Sequence, residues 1–101
     1  MTEAEHKESR KKAREFIVAF ERGIGRGNLD ELFKIYNEAV EKAEEYKCYP
    51  HYLIALVRTT YRMRGILPGY YENYKRIRAL LVSIHGEEQT KSFLIGLEPM
   101  T

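Results

Sequence analysis

The sequence predicts an all-α fold, an antiparallel or orthogonal four-helix bundle with a short fifth C-terminal helix. Three observations predict it. Apolar residues recur at three- and four-residue spacing in four stretches. Glycine and proline clusters separate those stretches by short connections, which favour helices packed on their sequence neighbours. No stretch alternates apolar and polar residues with period two for long enough to make a strand.

The first helix opens at Thr2, which forms a capping box with Glu5. Residues 1–12 carry almost no apolar stripe, so they read as a solvated helical extension, supported by Glu3–Lys7 and Glu8–Lys12 at i,i+4. From Ala13 the pattern is amphipathic: Ala13, Phe16, Ile17, Phe20 and Ile24 share a face, and Val18 lies off it. The Gly23-x-Gly25-x-Gly27 segment is expected to end this helix. Asn28 with Glu31 makes a second capping box. Helix 2 has the clearest stripe, Leu29, Leu32, Phe33, Tyr36, Ala39, Val40 and Ala43, opposite Asp30, Glu31, Lys34, Glu38, Glu41 and Glu45. It is expected to stop near Tyr46, because Pro50 disfavours helix in the residue before it.

Helix 3 is expected from Pro50 or His51 to Arg64, with Leu53, Leu56, Val57, Thr60 and Tyr61 inward and His51, Arg58 and Arg62 outward. Gly65 to Gly69 is a turn. Helix 4 runs from Tyr70 to His85 with Tyr70, Tyr74, Ile77, Leu81 and Ile84 as its core face, widened by Leu80. Gly86 stops it, a short helix follows from Glu87 to Leu94, and residues 95–101 read as a tail.

At 101 residues the chain makes one domain, 1–101, long enough for a core without disulfides or metal. A hydrophobic fraction of 44% beside 32% charged residues fits a folded protein and excludes a disordered one. The single cysteine, Cys48, gives no disulfide framework, so a reducing cytoplasm is expected. The charged N-terminus does not read as a signal peptide, and no apolar run approaches the roughly 18 residues of a membrane span, so no membrane is expected as a partner. Glu, Lys and Arg abound while glutamine occurs only at Gln89, a bias typical of hyperthermophiles.

Charge is unevenly placed. Between Lys47 and Gly86 lie seven Lys/Arg, one acid (Glu72) and six tyrosines, a segment formally +6, against −2 for residues 1–46 and −2 for residues 87–101. Arginine and tyrosine are favoured at recognition surfaces because each offers large contact area and a polar tip. On helix 3, His51, Arg58 and Arg62 fall on one stripe; on helix 4, Tyr71, Lys75, Arg78, Val82 and His85 fall on one flank. Neighbouring packing of these helices would merge the two sets into one surface. The alternative is that both are ordinary solvated faces, neutralised by helix 2 glutamates across the bundle.

Motifs that carry chemistry are thin. The glycine loop at 23–27 matches neither phosphate-binding spacing, no strand precedes it, and Asp30 and Glu31 already occupy the next helix's first turn. His6, His51, His85 and Cys48 are too scattered for a zinc site, so no metal or cofactor is expected. A helix–turn–helix alignment at Gly65 puts Tyr61 where a small residue is needed and Arg64 at a buried position. Arg78 and His85 loosely resemble the Arg-x4–6-His motif of HEPN ribonucleases, small helical bundles in which the pair assists cleavage of an RNA phosphodiester. Ala79 departs from the polar residue often found after that arginine.

The sequence therefore points to a small non-enzymatic binding or adaptor protein, acting through a basic Arg/Tyr-rich face in a larger assembly or as a homo-oligomer, a dimer first. The alternative is a nucleic-acid-binding protein, for RNA or DNA, with little sequence specificity. An RNA-cleaving bundle is a remote third.

Overall fold

A computed structural model describes residues 2–96, all of whose regular structure is helical: α1 (Glu3–Arg26), α2 (Leu29–Glu41), α3 (Pro50–Arg62), α4 (Tyr70–His85) and α5 (Glu87–Phe93). Residues 97–101, most of the expected tail, lie outside the described residues. The shortest dimension is 22 Å, about two helix diameters. Most helices therefore keep one face in water. α3 is the exception: it packs on α1 and α4, bonds to α2 through side chains, and buries Tyr52, Leu53, Ala55, Leu56, Val57, Thr59 and Thr60 around most of its circumference.

α1 begins as its sequence predicts. Thr2 Oγ1 accepts from the Glu5 N–H at 3.2 Å, and Glu5 Oε1 accepts from the Thr2 N–H at 3.3 Å. The helix then runs through Gly23 and Gly25 and ends, within the expected segment, at its last glycine, Gly27, whose φ of 67° is left-handed. Gly23 is instead a packing position: a Cβ there would lie 3.1 Å from Leu32 Cδ1 and 3.3 Å from Ile35 Cδ1, so its bareness lets α2 approach. The buried stripe is Ser9, Ala13, Phe16, Phe20 and Gly23. Ile17 and Ile24, expected inside, are each 44% exposed at its margin. Within residues 1–12, expected to be solvated, Ser9 is fully buried.

At α2, Asn28 Oδ1 accepts from the Glu31 N–H at 3.2 Å, but the Glu31 carboxylate turns to Arg26 instead of closing the box. Leu29, the first residue of α2 and expected inside, is 55% exposed. The helix ends at Glu41, several residues short of Tyr46. Tertiary capture explains the early stop. The Ala43 N–H bonds Val40 O, the Tyr52 hydroxyl from α3 donates to Ala39 O at 2.6 Å, and Arg76 from α4 donates to Val40 O at 3.4 Å. One buried chain of bonds ties α2 to α3: Tyr36 donates to Thr60 Oγ1 at 2.6 Å, and Thr60 donates to Leu56 O at 2.8 Å.

α3 starts with Pro50 in its first turn and ends at Arg62, two residues early. Met63 and Leu67, both buried, anchor the connection to α4. Ile77 and Leu81 form the buried centre of α4, whereas Ile84 is 41% exposed. Gly86, at φ 85°, is the whole connection to α5, which returns Thr90, Phe93 and Leu94 toward the core.

Candidate functional site

Six of the eight residues nominated by charge and spacing line two grooves, and Tyr71 and His85 line neither. The first lies between α1 and α3 and is lined by Ala13, Ile17, His51, Ile54, Arg58 and Arg62 among others. The second lies between α4 and α5 and takes in Lys75, Arg78, Ala79, Val82, Ser83 and Glu87. α3 and α4 are packed neighbours, yet the two basic sets line separate grooves.

His51 is not part of an outward stripe. It sits half-buried at the start of α3, where Ser9 Oγ accepts from its backbone N–H at 3.0 Å and bonds its ring Nδ1 at 2.8 Å. Its ring meets His6 edge-on at 6.0 Å. Burial holds its pKa below the usual histidine value, helped by the charges of Arg10 and His6. Arg58 and Arg62 do project to solvent. Arg62 reaches Glu21 of α1 at 3.7 Å, and Arg58 has no ion pair among the described residues.

The α4 cations are matched locally. Lys75 pairs with Glu72 at 3.3 Å and covers the Tyr71 ring at 4.9 Å. Arg78 is half-buried and bonds Glu87 of α5 at 2.8 Å, which holds that carboxyl below its usual range. The neutralising acids thus come from α1, α4 itself and α5, not from α2. Tyr71 is 56% exposed and Val82 half-buried. His85 packs edge-on against Phe93 at 5.6 Å, its Nε2 is buried without a hydrogen-bond partner, and burial depresses its pKa. Arg78 is thus bound to Glu87, and the His85 Nε2 is shut from solvent.

Sequence reasoning missed three things. Ser9 looked like part of a solvated helix and is a buried hydrogen-bonding hub. Ile17 and Ile54 leave apolar surface in the α1/α3 groove. On the outer face of α1, Lys11, Arg14 and Arg22, with one acid, Glu15, surround Val18, and none of the three cations has an ion pair among the described residues. The signal for that row was its i, i+3, i+7, i+11 spacing, masked by the −2 sum over residues 1–46.

Among the described residues no three His, Cys, Asp or Glu side chains gather as metal ligands, and no helix is long and apolar enough to cross a membrane. Comparison of the chain with protein families, with curated proteins and with solved structures gives no match.

Proposed function

We propose that this chain is a non-enzymatic binding protein that engages a protein partner through exposed basic and apolar helical faces, in a larger assembly or as a homo-oligomer. The five helices are read here as a four-helix bundle closed by a short fifth. One observation carries the functional reading: exposed apolar and basic side chains share a groove at α1/α3, where Ile17 lies open beside Arg58 and Arg62. Exposed apolar surface rimmed by charge is the usual anatomy of a docking site. The test is capture of partners by the tagged chain before and after nuclease digestion. A stoichiometric protein that survives nuclease is the expected result; capture that vanishes with the nucleic acid contradicts it.

A nucleic-acid reading draws on the α1 row, because Lys11, Arg14 and Arg22 are unpaired and present their charges to solvent. It predicts binding to RNA or DNA that falls steeply with salt, a log–log slope of about −0.7 per phosphate neutralised on a single strand. Lys11→Glu with Arg14→Glu would then abolish it.

A further inference from the structure

Two of the residues lining the α1/α3 groove, Ala13 and Ala55, are too short to fill the space between the helices. The trough holds about 340 Å³, with apolar surface from Ile17 and Ile54. Its rim is basic. Arg58 is unpaired, Arg62 shares a solvent-open Glu21 at 3.7 Å, and Arg10 stands close enough to His51 to act on it electrostatically. Three guanidinium groups therefore stand against one carboxylate at this groove and its His51 end. An apolar trough between two helices has the shape to take a third helix, side-chain ridges into groove. Guanidinium groups on the rim select carboxylates that flank the incoming apolar stripe, since arginine binds carboxylate through two parallel bonds. A nucleic acid fits less well, because stacking needs an open aromatic ring and His51, the one ring lining this groove, is held by Ser9.

We propose that the α1/α3 groove seats an acidic amphipathic helix of a partner protein, its apolar stripe on Ile17 and Ile54 and its carboxylates on Arg58 and Arg62. This rests on the binding-protein reading above and adds the groove and the partner's chemistry.

The probe is a synthetic peptide of about 18 residues, five helical turns, with leucines at helical spacing flanked by glutamates. It is titrated into the full chain while backbone amide NMR shifts are followed. Saturable binding is expected, with shifts concentrated in the middle of α1 and along α3. Arg58→Glu with Arg62→Glu should weaken it at least about tenfold, and Ile17→Gln about as much. All three positions are substantially exposed, so circular dichroism should be unchanged. Absence of binding overturns the proposal, as do shifts confined to α4 and α5. A single-stranded oligonucleotide that shifts the groove amides where the peptide does not would assign the site to nucleic acid. The binding-protein reading fails on a separate measurement, the nuclease-sensitive capture, so the two failures are distinguishable.

Discussion

The backbone N–H of His51 belongs to the first turn of α3, where no preceding helical carbonyl can accept it. Tyr49, at the cap position, supplies no side-chain acceptor, so Ser9 of α1 does so from across the structure. The same hydroxyl bonds the His51 ring, which fixes the start of α1 against the start of α3. Ser9→Ala should therefore cost about 1–2 kcal/mol in urea unfolding, the range for a lost cap that leaves a donor unpaired. An unchanged midpoint would mean that water replaces the hydroxyl. Protonation acts at the same place. The pKa of His51 is depressed in the folded chain, by burial and then by Arg10 and His6, and that of His85 by burial. The unfolded chain consequently binds more protons near neutral pH. The stability of the neutral rings is fully present above the unfolded value of about 6.5 and is lost as pH falls through the folded pKa values. The urea midpoint should fall from about pH 8 to about pH 5, and a rise would contradict the assignment.

At the scale of the helix, three glycines in one short segment have three different roles. Gly27 alone is left-handed, at φ 67°; a methyl at Gly25 would meet nothing within 4 Å; Gly23 touches Leu32 and Ile35. Gly25→Ala should stabilise the chain by about 0.5–1 kcal/mol, because it removes glycine's backbone freedom from a helix interior. Gly27→Ala should destabilise it by about 1–2 kcal/mol through left-handed strain. Thermal unfolding of the two variants gives opposite shifts if α1 continues to Arg26 and turns at Gly27. The sequence showed that a helix must end in this segment but not at which glycine, since φ is set by how α2 turns back. Helix caps such as Thr2 and Asn28 were legible because they are local. The end of α2 was not, because it depends on Tyr52 and Arg76 reaching carbonyls from other helices. Ile17, Ile24 and Ile84 were placed inside by periodicity, which gives the direction of a stripe but not how wide the partner helix covers it.

Across the whole molecule the core was largely legible. Leu32 and Leu81 were read as inward and are buried, so Leu32→Asp or Leu81→Asp should each abolish the cooperative helical signal in circular dichroism. The site was less so. Summing charge along the chain hid the α1 row and overstated the α4 flank, because ion pairs form between neighbours in space: Arg62 with Glu21, Arg78 with Glu87. The same distribution bears on self-association. A two-fold dimer sets a patch against its own copy. Burying Val18, 42% exposed, would bring Lys11, Arg14 and Arg22 of one copy, only partly offset by Glu15, against those of the other. Such like-charge contacts are relieved by screening, so dimer formation should strengthen as salt rises. Binding of an acidic helix should weaken over the same range. Light scattering at micromolar concentration and several ionic strengths separates the two. A mass that rises with salt toward twice the chain's 11.9 kDa supports self-association through α1, and one that stays at 11.9 kDa throughout leaves that face to a different partner.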